Sequence, residues 1–115
     1  MADTIVFFPK YSTLVGKASP GQDYPSDPYE VTSFKTVVVE ALLSQVAASA
    51  TVVMQMQQSS DLQDWADIGS PLSLAAGAIA SVTISDPARY LRALVTVTVA
   101  NGVATFWVKA VCRDA

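Results

Sequence analysis

Three carboxylates spaced three residues apart, Asp61, Asp64 and Asp67, surround Trp65 and are the residues in this chain whose type and spacing could do chemistry. Paired carboxylates can share general acid and base work, and their oxygens can ligate Ca²⁺. The spacing matches no EF-hand loop, which needs acids at alternate positions and a central glycine. A solvated acidic turn is the reading it favours. The rest of the inventory is thin. The chain has no histidine, which removes Ser-His-Asp and Cys-His catalysis, histidine metal sites and the usual near-neutral general base. One cysteine, Cys112, supports neither an internal disulfide nor a thiolate zinc site. No glycine-rich phosphate loop is present. The expectation is a protein with no catalytic residues, no cofactor and no metal, and not an enzyme.

Composition bounds the partners. The chain has 115 residues and a net charge of −3, with a pI of about 4.5. No basic stripe exists to displace counterions from phosphates, so nucleic acid is not an expected ligand. Charged residues make up 15% of the chain, against roughly 25% in ordinary soluble domains, while 51% are hydrophobic. A small domain cannot hide that much apolar surface alone, so some is expected to meet a partner. Met1-Ala2-Asp3-Thr4 lacks the basic region of a signal peptide, and no apolar run reaches membrane-spanning length. Synthesis and folding in a cytosol, away from membrane, are therefore expected.

The elements that must position these residues are strands. Tyr90 to Arg113 reads as two long strands joined at Asn101-Gly102, the dipeptide suited to the positive φ angles of a type I′ hairpin turn. That turn predicts a register in which Val97 faces Phe106 and Val95 faces Val108. Side chains alternate faces along a strand. Leu91, Ala93, Val95, Val97, Val99, Ala104, Phe106, Val108, Ala110 and Cys112 then share one wholly apolar face. Cys112 is thereby expected to be a small buried hydrophobe. The opposite face carries Tyr90, Arg92, Leu94, Thr96, Trp107, Lys109 and Val111. Trp107 there either anchors a contact with another subunit or ligand, or is covered by a neighbouring loop or the N-terminal strand.

Upstream, Thr4 to Phe8 predicts an edge strand stopped by Pro9, with Tyr11 to Val15 as a continuation after a bend. Residues 18–30 carry Pro20, Pro25 and Pro28 and predict a stiff loop that presents Tyr24 and Tyr29, either to a neighbour or merely as a surface connection. A strand is expected from Val31 to about Leu43, followed by a loop through Ala50, although helical turns over Glu40 to Ala48 are an alternative. Thr51 to Gln58, Trp65 to Ile68 and Ile79 to Ile84 predict further strands, with a polar turn at Ser59 to Asp64 and a loop at Leu72 to Ala78. The sum is one all-β domain over residues 1–115, an antiparallel sandwich of jelly-roll type with about seven or eight strands.

Two stretches carry a resemblance. Gln55-Met56-Gln57-Gln58-Ser59-Ser60-Asp61 precedes Trp65, and Ala88-Arg89-Tyr90-Leu91-Arg92 opens the penultimate strand. Over Thr51 to Val111 the pattern resembles the small jelly-roll proteins of tailed-phage virions, the head-decoration or cement kind. It also looks like discoidin-type carbohydrate-binding modules. The first resemblance implies a non-enzymatic virion structural protein. Such a protein is assembled in the host cytoplasm as a homo-oligomer or repeated copy, and it binds capsid or tail proteins and stabilises the shell. The alternative is a carbohydrate-binding module of a phage fibre or tail, and a small hydrolase using the acidic residues is a third reading. The expected contact surface comprises Tyr24, Tyr29, Leu94, Trp107 and Val111.

Overall fold

The computed structural model describes residues 2–15, 22–46, 51–98 and 103–113. Among these described residues ten strands follow in chain order: β1 (Ala2–Val15), β2 (Gln22–Pro25), β3 (Tyr29–Glu30), β4 (Thr36–Val46), β5 (Thr51–Ser59), β6 (Ala66–Asp67), β7 (Leu72–Leu74), β8 (Ile79–Ser85), β9 (Tyr90–Thr98) and β10 (Val103–Arg113). They form two antiparallel sheets. One has the order β1-β10-β4-β8; the other has the order β2-β9-β5-β6, with β3 also on β9 and β7 also on β5. If β2 with β3, and β6 with β7, are counted as interrupted single strands, the eight strands of a jelly roll result. Counted as eight, successive strands lie in opposite sheets at every step except from β5 to the β6–β7 strand.

Burial explains the elements. In β9, and in β10 as far as Cys112, the residues alternate between buried and half-buried. Leu91, Ala93, Val95, Val97, Ala104, Phe106, Val108, Ala110 and Cys112 are all within the core. From the facing strands come Val37, Val39, Ala41 and Leu43 of β4 and Val52, Met54 and Met56 of β5. The expected apolar face is therefore real, and Cys112 is buried in it.

The expected hairpin pairing is not. β9 pairs with β5, placing Val95 opposite Met54 and Val97 opposite Val52. β10 pairs with β1 and β4, placing Phe106 opposite Leu43 and Val108 opposite Ala41. The two strands lie in opposite sheets and turn their apolar sides toward the same interior. A period of two states which face is buried, not which strand supplies the ladder, so the sequence pattern suits both arrangements. Val99 and the Asn101-Gly102 turn lie outside the described residues.

Three further expectations change. The stretch expected as a loop over residues 18–30 contains β2 and β3. Both lie along the outer side of β9, where an edge strand tolerates Pro25 because no ladder donor is needed on its free side. Leu72 to Leu74 is a strand rather than loop. β4 begins at Thr36 rather than Val31, because the Phe34 amide turns back to the Val31 carbonyl at 3.0 Å, and it continues to Val46, so the helical alternative fails over its described part; residues 47–50 lie outside the described residues. β1 is an edge strand, as expected, but it runs past Pro9 to Val15 by slipping register twice, between Val6 and Phe8 and between Phe8 and Ser12. Among the described residues no helix is long and apolar enough to cross a membrane.

Candidate interaction surface

The acidic turn has a structural task. Ser59 is buried at the end of β5, and its hydroxyl accepts the amides of Asp61 (3.2 Å) and Leu62 (2.9 Å) while donating to Asp61 Oδ1 (3.0 Å). The same Oδ1 accepts the amides of Gln63 and Asp64, each at 2.9 Å. These backbone donors, that of Asp64 foremost, hold the Asp61 carboxyl below its ordinary pKa. Leu62, at φ 67°, takes the left-handed conformation that this closed turn requires. Asp67 instead accepts from Gln57 Nε2 at 3.0 Å. The Asp61 and Asp67 carboxylates thus have different tasks, and among the described residues no three acidic, histidine or cysteine side chains gather where they could hold a metal ion.

The outer face of the β9-β5 sheet is a polar network. Arg92 places its guanidinium 4.2 Å from the Trp65 ring centroid and donates Nε to Gln57 Oε1 at 2.9 Å. Gln57 passes the chain on to Asp67. Desolvation against these neighbours lowers the Arg92 pKa from its ordinary value. Leu94 lies on this face opposite Gln55, whose amide is spent on the carbonyls of Met56, Ile68 and Gly69.

The outer face of the other sheet is different. Ile79 of β8 sits directly opposite Leu42 of β4, and Leu42 directly opposite Trp107 of β10. These three make an apolar row across the sheet that ends, at its edge, on Ile79 with 60% of its surface exposed. At the other end the row opens into a cleft of about 280 Å³ lined by Val6, Phe8, Pro9, Trp107 and Lys109. The cleft follows from the slip in β1. Phe8 pairs with Val108 and Ser12 with Phe106, so the residues between Phe8 and Ser12 bulge where only Trp107 stands opposite. Ser12 Oγ ties the bulge by donating to the Pro9 carbonyl at 2.7 Å. The Lys109 ammonium stands 5.1 Å from the Trp107 ring centroid, a cation–π distance. One row along, Glu40 is the cross-strand neighbour of Lys109.

The five expected contact residues are therefore dispersed. Trp107 and Val111 share the outer face of the β1-β10-β4-β8 sheet. Leu94 is on the outer face of the opposite sheet. Tyr24 stands opposite the inward-facing Val95, on the interior side of the edge strand β2. Tyr29 also turns inward, with its ring edge-on to buried Phe7 at 5.5 Å. The N-terminal strand walls one side of Trp107 without covering it. Leu42, Ile79 and Val6 were missed as surface candidates. Val6 lies in a run, Ile5 to Phe8, that is apolar at every position, and Leu42 stands beside the equally apolar Leu43, so alternation marks neither as outward; Ile79 shares the outer face of β8 with Ser81 and Thr83, and only the cross-strand register joins it to Leu42 and Trp107.

Solved structures share this fold. The VP2 subviral particle of infectious bursal disease virus superposes with a TM-score of 0.64 at 11% identity, over 98% of this chain and 32% of that one. A protein of the Bacillus endospore appendages, described as disulfide-linked pili, gives a TM-score of 0.57 at 10% identity, over 100% of this chain and 88% of the other. The SPBc2 prophage-derived protein YomS gives 0.57 at 8% identity, over 96% and 93% of the two chains. The chain thus spans about a third of the bursal virus protein's length and nearly all of YomS. No protein-family model matches the chain, and no curated protein sequence matches it.

Proposed function

We propose that this chain is a non-enzymatic structural protein of a virion, a decoration or cement protein that binds a shell in many copies. The observation that carries this reading is the apolar row Ile79–Leu42–Trp107 running into the Trp107 cleft, on a sheet face that water would otherwise cover. Buried on docking, a tryptophan anchor of this kind contributes about 2 kcal/mol or more. Lys109 and Glu40 beside the row give the contact orientation rather than strength. Repetition over many copies turns such modest contacts into a firm hold on a shell. Support also comes from the company the fold keeps, which includes a capsid protein, an appendage protein and a prophage protein.

Co-sedimentation with shells assembled without the protein tests the reading. Wild type is expected to pellet with shells, Trp107→Ala to lose most binding, and Leu94→Ala, on the opposite face, to bind as wild type. A folded wild type that never co-sediments defeats the role; equal loss in both variants defeats the surface.

A carbohydrate-binding module of a fibre or tail is the second reading. Half-exposed Trp65, flanked by Arg92, Gln57 and Asp67, is the observation that favours it, since sugars stack on aromatic rings beside polar side chains. Binding to a glycan array, lost on Trp65→Ala and kept on Trp107→Ala, would select this reading over the first.

A further inference from the structure

A sandwich with open edges must blunt them, because an unpaired row of N–H and C=O groups is a template for another strand. Among the described residues the two sheets have four edges, and three of them are blunted. β1 is broken by its two register slips and Pro9. The β2–β3 edge is interrupted over residues 26–28 and carries Pro25 and Pro28. β6 and β7 are short, spanning only Ala66–Asp67 and Leu72–Leu74. The fourth edge, β8, has none of these devices. It pairs with β4 in unbroken register from Ile79 to Ser85, and among the described residues no strand pairs with its other side. No proline or charged residue lies within β8, and the sequence is uncharged from Ser70 to Ser85.

We propose that β8 is a strand-addition edge whose occupant is β8 of a second copy of this chain, paired antiparallel about Val82. The strand's own pattern selects that occupant. Pairing centred on Val82 sets Ala80 opposite Ile84 and Ser81 opposite Thr83. Inward-facing Ala80, Val82 and Ile84 then meet their like, while on the outer face Ser81 meets Thr83 and Ser85 meets Ile79, with no charge in the pairing. Two copies of a chain that carries −3 overall can approach here because the edge itself is uncharged. The product is a continuous eight-stranded sheet built from two four-stranded ones, with the two Ile79–Leu42–Trp107 rows on the same side. A shared outer face of that kind would let both copies dock on one surface. In that respect the inference deepens, and rests on, the reading of the protein as a repeated copy; the pairing itself needs no shell.

The test uses purified protein and charge exchange. One variant carries Ser81→Lys and Thr83→Lys, the other Ser81→Glu and Thr83→Glu. These side chains are exposed in the monomer, and in the proposed pair each faces its counterpart. Sedimentation velocity is expected to show wild type as a dimer at high concentration. Each variant alone should be a monomer, and an equimolar mixture of the two a dimer again. Amide exchange supplies a second readout on wild type: alternate β8 amides should be protected in concentrated and not in dilute solution. Wild type that stays monomeric at its solubility limit with unprotected β8 amides overturns the proposal. So does a dimer that survives in both charged variants but dissociates on Trp107→Ala, which would assign self-association to the outer face. Failure of β8 pairing with retained, Trp107-dependent shell binding would leave the proposed role standing; the converse result would leave the β8 pairing standing.

Discussion

Ser26 and Ala93 are joined by two hydrogen bonds, one from each amide. The Ser26 amide donates to the Ala93 carbonyl at 2.7 Å, and the Ala93 amide donates to the Ser26 hydroxyl at 2.9 Å. A side-chain oxygen thus stands where a regular ladder would use a backbone carbonyl. This is how the chain stays on β9 through the break between β2 and β3. Ser26 also donates its own hydroxyl proton to the Asp27 carbonyl at 3.0 Å, which fixes the hydroxyl's orientation. Ser26→Ala would leave the buried Ala93 amide without that acceptor, at a cost of about 1–3 kcal/mol. Denaturant unfolding should show the loss as a lower midpoint with an unchanged m-value. Ser26→Thr, which keeps the hydroxyl, should lose less.

Gly69 and Gly77 offer a paired test of backbone strain against packing. Both have positive φ, 76° and 80°. A Cβ on Gly69 would fall 2.9 Å from Ile84 Cδ1 and 3.1 Å from Val82 Cγ2, whereas one on Gly77 meets nothing within 4 Å. Both alanine substitutions incur the left-handed penalty of about 1–2 kcal/mol. Gly69→Ala adds an overpacking cost against the inner side of β8, of about 1–3 kcal/mol. Thermal melts should therefore rank wild type above Gly77→Ala, and Gly77→Ala above Gly69→Ala.

Asp61 makes the Ser59–Asp64 turn sensitive to acid. Its folded pKa lies below the ordinary carboxylate value because backbone amides of Asp64 and Gln63, and the Ser59 hydroxyl, favour the charged form. A depressed folded pKa means stability that is fully present above the unfolded value and lost as pH falls through the folded one. Asp61→Asn should melt below wild type at neutral pH. The gap should narrow once pH drops under the ordinary carboxylate range, as wild type takes up its proton. A gap that stays constant with pH would remove the charge from the explanation.

Much of the fold was legible because the chain alternates so cleanly. Val37, Val39, Ala41, Val52, Met54 and Met56 are buried where a period of two puts them. What alternation does not encode is the neighbour. The jelly-roll topology itself places the last two strands in opposite sheets, so the expected hairpin and the expected fold were in conflict, and burial of both apolar faces against each other decided for the fold. Prolines misled in the same way: at an edge, Pro25 removes only a donor that had no partner. The surface was less legible still. Tyr24 and Tyr29 read as exposed because their loop composition hid two strands that turn them inward, while Leu42 and Ile79 became visible as a row with Trp107 only through a register spanning three strands.

That register gives the last prediction. If β9 and β10 belong to opposite sheets, backbone NOEs should join Val95 to Met54, Val97 to Val52 and Phe106 to Leu43. None should join the backbones of Val97 and Phe106, or of Val95 and Val108, the pairs a hairpin would bring to about 4.5–5.5 Å between Cα atoms. Side-chain contacts between the two sheets remain possible across a core about 10 Å thick, so only backbone protons discriminate. The function follows the outcome. In a hairpin, Trp107 and Leu94 would share one outer face and could contribute to a single contact. In the sandwich they point away from each other, and a partner that engages Trp107 is blind to Leu94→Ala.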